Sequence, residues 1–388
     1  MDTLRLIWRN ILRHRLRNAL TTVGITLALL AFCLIQTMLD SWYSGVRVAA
    51  RDRLITRNAV SLIFFLPISY FESISRIPGV QNTAYASWFG GIYRNESYEF
   101  AQFAEKHYFD VYPEFSMSPE EHKAYAEDRA GAIISEDLVQ IYGFKTGERV
   151  TLRGTVFQGA WDFNIRGVFK SNPPELAKRT MFFHWEYLNE RIRRDYPYMG
   201  VDQVGVFVTR LGPDADPAAV AGAIDERFAN SSAETLTESE TAFIRGFLSM
   251  SSTIITAINL ISYVVIIIML LVLANTMLMA TNERFIEYSI LKAIGFGSAR
   301  LAMIIFGESL LISLSGFGLL CLILVPVFSA PEQVILGELI NVFPTFELNP
   351  LILGGCLLAS LIVAAVSGLV PARRVLTMKV AEGLRRFG

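Results

Sequence analysis

Charge is what this sequence has least of. Only 18% of its 388 residues are charged, against 52% hydrophobic, at a mean hydropathy of +0.39. A soluble domain carries roughly 25% charged residues, so a wholly water-bathed enzyme of this composition would precipitate. Cysteine is nearly absent. Cys33, Cys321 and Cys356 all sit in apolar runs, so no disulfide framework holds the polar middle of the chain together. The four histidines (His14, His107, His122, His184) lack metal-ligand spacing, and no metal is expected on them. No Gly-x-x-x-x-Gly-Lys-Ser/Thr stretch occurs, so a phosphate-cradling loop is missing too. A net charge of −1 offers nucleic acid no bulk attraction. Disorder is excluded in its turn by 27 Phe and 14 Tyr.

What is present is long and apolar. Four charge-poor runs cover 18–39, 246–282, 309–331 and 348–372, the third entered through Glu308. A bilayer core about 30 Å thick needs roughly 20 apolar residues as helix, so each run can span it. The first run exceeds the usual 7–15 residues of a signal peptide and lacks a clear cleavage site, which makes it an uncleaved anchor. Basic residues then give an orientation. Arg5, Arg9, Arg13, Arg15 and Arg17 precede the first span. Arg284, Lys292 and Arg300 lie between the second and third, and Arg373, Arg374, Lys379, Arg385 and Arg386 follow the fourth. The loop 332–347 carries Glu332, Glu338 and Glu347 with no Lys or Arg. The positive-inside rule places both termini and the 283–300 loop in the cytoplasm.

Segment 41–250 holds 22 basic and 27 acidic residues, an ordinary soluble balance, and is too long to be a loop. It reads as an external α+β domain: a split α/β module with a β-rich insert at about 130–195. Residues 59–66 (AVSLIFFL) read as a buried strand. Ser118-Pro119-Glu120-Glu121 is a capping box opening a helix to about Asp128. Residues 131–135 form a strand, Ser135 caps a helix to Tyr142, and 147–170 holds two or three antiparallel strands. A strand at 202–209 precedes a helix from Asp216-Pro217 to about Asn230. Trp88, Phe89, Tyr93, Tyr98 and Phe100 either line an apolar binding surface or fill the core.

Thr237 and Glu240 form a second capping box, from which one helix of 45 residues would run over 238–282. Such a helix is about 67 Å long, leaving some 37 Å beyond the bilayer as a stalk, unless it breaks at Gly246. Residues 283–294 (ERFIEYSILKAI) form a short amphipathic helix with Phe285, Ile286, Ile290 and Ile294 apolar and an Arg284–Glu287 pair. Gly295 suits the left-handed position that ends it. A basic amphipathic helix at about 3–15 precedes the first span. By physics alone either helix could simply lie on the lipid surface.

Residues 15–26 (RLRNALTTVGIT), 283–297 (ERFIEYSILKAIGFG), Glu308 and the ending Pro371-Ala372-Arg373-Arg374 with KVAEGLR follow a recurrent pattern. So do 77–80 (IPGV) and 134–152 (ISEDLVQIYGFKTGERVTL) in the external segment. With the order of one span, a large external domain and three spans, the chain resembles the permease subunits of MacB/FtsX/LolC-type ABC transporters, the type VII or mechanotransmission systems. The resemblance covers nearly the whole chain. It departs from MacB in lacking a fused nucleotide-binding domain, and from FtsX-type members in its larger external domain.

The resemblance implies a homodimer or heterodimer (a second copy or a paralogue) bound to a separate cytoplasmic ABC ATPase, which would hold the ATP. No cofactor, metal or catalytic residue is expected on this chain, which would not itself be an enzyme. Movement would pass from the ATPase into Glu283, Arg284, Glu287, Lys292 and Gly295, with Ala293 also on the motif. Glu308 would either relay that movement by pairing with an arginine or snorkel at the interface. The implied task is export or extraction of a lipid, lipoprotein, hydrophobic drug or peptide from the periplasm or outer leaflet, with a periplasmic adaptor or acceptor and membrane lipid as further partners. The alternative is an FtsX-like scaffold that activates an external wall hydrolase, or a receptor without an ATPase. The expected location is a bacterial inner membrane. The expected divisions are 1–16 (cytoplasmic helix), 17–40 (first span), 41–237 (external domain), 238–282 (stalk and second span) and 283–300 (coupling helix and loop). They continue with 301–331 (third span), 332–347 (outer loop), 348–372 (fourth span) and 373–388 (tail).

Overall fold

The computed structural model describes residue 13 and residues 15–94, 100–196, 200–249, 252–329 and 348–377. The N-terminal helix expected at 3–15, Tyr98, the outer loop 332–347 and the last eleven residues therefore lie, wholly or nearly so, outside the described residues. The chain divides into two compact units, one formed by Trp42–Ser251 and the other by the helices before and after it.

Helix α1, Arg15–Val48, leads into the first of these units. There follow β1 (Arg53–Asn58), β2 (Leu66–Pro67), α2 (Tyr70–Ser75), β3 (Val80–Trp88), β4 (Gly91–Ile92) and β5 (Ala101–Lys106). Next come α3 (Tyr108–Val111), β6 (Phe115–Ser116), α4 (Pro119–Glu127), β7 (Gly131–Ser135), α5 (Glu136–Tyr142), β8 (Arg149–Gly154) and β9 (Gly159–Ser171). The unit closes with β10 (Thr180–His184), α6 (Trp185–Asp195), β11 (Gln203–Val204), β12 (Val206–Leu211), α7 (Pro217–Phe228), β13 (Thr235–Ser239) and α8 (Glu240–Ser249). One sheet takes the order β13-β1-β12-β3-β5-β10-β7-β9-β8-β4, with β6 beside β9. Only β5–β10 and β7–β9 are parallel pairs among its neighbours. The segment read as a separate β-rich insert is thus continuous with the main sheet, because β10 pairs with β5 on one side and β7 on the other.

Both faces of the sheet are covered. One buries Trp161, Phe89, Phe163 and Phe183 under helices α2, α5, α6 and α7, and the other buries Phe169, Phe182 and Val208 under α3 and α4. Phe89, Tyr93 and Phe100 belong to the first core, so the core alternative holds for them, while Trp88 is half exposed. The capping box at Ser118 forms as expected, its hydroxyl accepting from the Glu121 N–H. Ser135 does precede α5, but its Oγ accepts from the Thr180 N–H rather than capping the helix.

Two expectations are overturned. Residues 59–65 are not a buried strand: they form an irregular loop with Val60 79% and Ile63 81% exposed. The strand is its polar neighbour, β1 (RLITRN), which lies between β12 and β13. Its polar side chains are buried because each finds a partner there, Thr56 on Thr237 at 2.9 Å and Arg53 on Glu240. Hydrogen bonding, not hydropathy, decides its place. Nor do Thr237 and Glu240 form a capping box. Thr237 sits in β13, its hydroxyl bonding Asp225, and the helix starts at Glu240, with the Ala242 N–H donating to Ser239 Oγ. Gly246 lies within α8 and does not break it.

The second unit continues with α9 (Ser252–Glu283), α10 (Phe285–Ala293), α11 (Ser298–Ser329) and α12 (Pro350–Thr377). Four helices, α1 over Arg15–Ser41, α9, α11 and α12, are long and apolar enough to cross a membrane. Close approach through small residues joins them. Ser309 Oγ donates to the Ala364 carbonyl at 3.0 Å, and Ser313 Oγ to that of Ser360 at 2.8 Å, joining α11 to α12. Gly316 brings α11 against α1, where Thr26 Oγ1 donates to its carbonyl at 3.1 Å. A Cβ on Gly316 would meet Ile25 Cγ2 at 2.7 Å. Gly316→Val is therefore expected to destabilise the helical unit by about 1–3 kcal/mol through overpacking. Thermal unfolding of the detergent-solubilised chain checks this, and an unchanged melting temperature would refute the close crossing.

Candidate coupling site

Helix α10 follows α9 after a single residue, Arg284, and is tied to three other helices. Arg284 Nη1 lies 2.9 and 3.2 Å from the two carboxylate oxygens of Glu308 on α11, and both side chains are only 2% exposed. An ion pair so deeply buried is costly to desolvate and still costlier to break. Glu283 pairs with Arg17 of α1 at 2.6 Å, and Glu287 with Arg13 at 2.7 Å. Lys292 Nζ approaches the Leu376 carbonyl of α12 at 3.4 Å, while Arg374 Nη1 donates to Asn282 Oδ1 at 3.2 Å. The partly exposed pairs each contribute little alone. Together they fix α10 in orientation to the ends of three helices.

The end of α10 is built by Gly295, whose φ of +100° is left-handed. The Phe296 N–H donates to Leu291 O at 3.0 Å and the Gly295 N–H to Lys292 O at 3.2 Å, the two bonds of a Schellman closure. The amphipathic face differs from the expected one. Arg284, Tyr288 and Ser289 are buried, whereas Ile290 and Ile294 face outward beside Glu287 and Ala293. Nor does Arg284 pair with Glu287, since each has a partner on another helix.

All six expected residues, Glu283, Arg284, Glu287, Lys292, Gly295 and Glu308, thus fall on or beside one short helix. Sequence reasoning missed Arg13 and Arg17, which it used only for orientation. A signal was available: the two acids, 283 and 287, and the two bases, 13 and 17, have the same spacing of four, one helical turn.

A second concentration of titratable groups lies in the other unit, at the carboxyl ends of the parallel strands β5 and β10. A cavity of about 470 Å³ there is lined by His107, His122, His184, Glu105 and Glu186 among others. The Glu105 carboxyl is 4% exposed, accepting from Tyr125 Oη at 2.6 Å and the Tyr108 N–H at 3.1 Å. Burial outweighs these hydrogen bonds and, with Glu186 and Asp110 nearby, pushes it up to about 7. Among the described residues no cluster has metal-holding geometry.

Two family models match the chain. A model described as FtsX-like permease C-terminal matches residues 259–380, which include α10 and Glu308. A model described as MacB-like periplasmic core domain matches residues 18–227, more than half of the chain. No curated protein matches. Among solved structures, the periplasmic region of MacB from Actinobacillus actinomycetemcomitans is similar at 11% identity and TM-score 0.38, over 53% of this chain and 97% of that one. A domain of a putative permease protein from Porphyromonas gingivalis is similar at 18% identity and TM-score 0.33, over 48% and 88%. The extracellular domain of the noncanonic ABC-type transporter YknZ from Gram-positive bacteria is similar at 9% identity and TM-score 0.34, over 48% and 99%.

Proposed function

The chain belongs to the MacB/FtsX-type ABC transporter permeases, and from that premise we propose that it hands ATP-driven movement from a separate cytoplasmic ATPase to an external α/β domain. The family works with a cytoplasmic ATPase and forms dimers. In this reading α10 is the helix on which the ATPase pushes. The observation that supports it is the division of α10 into two faces. One is tied by Arg284–Glu308, Arg17–Glu283 and Arg13–Glu287 to the ends of α1 and α11. The other presents Ile290, Ala293 and Ile294 for docking. A push on the outer face cannot be absorbed locally, because the inner face is bonded to neighbouring helices.

Both termini would then be cytoplasmic and unit Trp42–Ser251 external, in a bacterial inner membrane. The domain would act on a lipid, lipoprotein, hydrophobic drug or peptide without passing it through the helices. Among residues of the apolar helices the ionisable Glu308 is already bound to Arg284, which leaves it unsuited to carrying a coupling ion.

The test is co-purification of the full chain with a small soluble ATPase, followed by measurement of ATP turnover. Glu287→Lys and Lys292→Glu are expected to lower permease-dependent turnover by roughly 5- to 100-fold, the range of ordinary coupling energies, without unfolding the chain. Turnover equal to that of the unaltered complex would sink the coupling role. Recovery of a stable external enzyme instead, with no bound lipid or drug, would favour the activating scaffold.

A further inference from the structure

The external unit holds a second buried ion cluster, at the point where the chain enters and leaves it. Glu240, the first residue of α8, is the hub. Its Oε2 accepts from the Ala50 N–H at 2.9 Å and from Arg53 Nε at 2.9 Å, and its Oε1 accepts from Tyr112 Oη at 2.8 Å. Arg53, itself 1% exposed, continues the chain of contacts with two bonds from Nη1 to the Glu114 carboxylate, at 2.7 and 2.9 Å. Its guanidinium also lies 4.2 Å over the Tyr112 ring. Ala50 and Arg53 follow α1, and Glu240 opens the helix that precedes α9, so one carboxylate holds both connections to the membrane-spanning helices.

A strand pair already joins these connections, since β1 and β13 are neighbours. The cluster does something the strand pair cannot. Glu114 leads directly into β6, which pairs with the end of β9 through Phe115–Ser171 and Ser116–Lys170, and the Glu114 carbonyl accepts from the Asn172 N–H at 3.0 Å. By the order of the sheet, β9 is six strands from β1, roughly 29 Å at the usual spacing. Through Arg53 and Glu114 the same two places are joined by two side chains and one short strand. Aromatic stacking stiffens this bridge: Tyr112 stacks on Phe115 at 5.1 Å, and Phe115 lies 5.3 Å from Phe169 of β9.

We propose that Glu240, Arg53, Tyr112 and Glu114 form a clasp that carries displacement of the two connecting segments straight to β9, the longest strand, bypassing the intervening sheet. The proposal rests on the mechanical reading of the family above and assigns positioning roles to residues that touch no substrate. Buried, charge-assisted bonds suit this task because they are short, directional and lost all at once.

The experiment is hydrogen exchange on the full chain in detergent or nanodiscs, comparing the unaltered protein with Glu240→Gln and Arg53→Lys. Each variant keeps a polar group of similar size, and circular dichroism confirms the fold is retained. Amide exchange at 114–116 and 169–172 is expected to speed up by about tenfold or more in both variants, although neither substitution lies in those segments. Faster exchange confined to 50–53 and 238–242 would overturn the clasp and leave a local cap. A second measurement adds the co-purified ATPase. ATP-dependent change in exchange at 169–172 is expected in the unaltered complex and is expected to vanish in Glu240→Gln while ATPase binding persists. If ATP still changes 169–172 in that variant, the clasp is not the route. If no ATPase is ever recovered, the transport reading fails and the ATP-independent exchange result alone decides the clasp.

Discussion

Replacing Glu308 by alanine is expected to destabilise the helical unit by about 3–5 kcal/mol, the largest single effect among these helices. The cost comes less from the lost attraction than from what is left behind. Arg284 is 2% exposed on its side chain, so its guanidinium would stay buried without the carboxylate that neutralises it. Replacing both residues, as Arg284→Leu with Glu308→Met, removes the stranded charge and is expected to recover most of that stability, because well-packed apolar pairs commonly match a buried ion pair. Stability and coupling should then separate. The double variant should unfold near the unaltered protein's temperature, yet permease-dependent ATP turnover should stay depressed, since α10 would no longer be bonded to α11. Thermal unfolding followed by turnover measurement reads both. A double variant that restores turnover would show that the pair only stabilises, and an alanine variant as stable as the original would show that the pair is not formed.

The sequence carried the helical unit clearly because its signals are local. Absence of charge over some twenty residues needs no knowledge of the fold, and neither does a glycine at the end of an amphipathic run; the spans and Gly295 follow from these. The capping box at Ser118 and Asp216-Pro217 at the start of α7 are local in the same sense. The partnership of Glu308 with an arginine was one of two readings, and only packing selects Arg284 over Arg300 or the C-terminal arginines. What was not legible depends on distant partners. Arg53 and Glu240 are 187 residues apart, and neither has an unusual neighbourhood in sequence. The same distance effect explains the misplaced first strand. RLITRN looks like a polar connector until β12 and β13 flank it, and AVSLIFFL looks like a core strand until it is left without a partner strand along most of its length. Hydropathy ranks side chains by their cost in water, but a strand between two others is selected by backbone pairing and by whether its polar groups are met.

The unit Trp42–Ser251 should be markedly less stable above neutral pH than below it, and Glu105 should be the cause. Its carboxyl is pushed up to about 7 from an ordinary value of 4.5, chiefly by burial. In the unfolded chain it would ionise near 4.5, so between about pH 4.5 and 7 the folded state binds more protons than the unfolded one. Stability from this residue is then complete below about pH 4.5, declines as pH rises, and is fully lost above about 7. The total is on the order of 3 kcal/mol, which for a unit of this size is roughly 6–12 °C in melting temperature. Other ionisable groups face the cleft: His107 and Asp110 at α3, His122 and Tyr125 on α4, His184 stacked on Tyr125 at 4.0 Å, and Lys106 paired with Glu186. Comparison with Glu105→Gln removes their share, since they are common to both proteins. The amide keeps the carboxyl's shape and can still accept from Tyr125 while remaining neutral at every pH. The two proteins should differ least at pH 4 and most by pH 8, with the glutamine form gaining in relative stability as pH rises. With Trp8 and Trp42 replaced by phenylalanine in both proteins, emission of the remaining tryptophans, of which Trp161 and Trp185 are buried in this unit, reports its unfolding. Parallel curves for the two proteins across pH 4–8 would mean that Glu105 ionises in the fold as it does in the unfolded chain, and would overturn its part in the pH dependence.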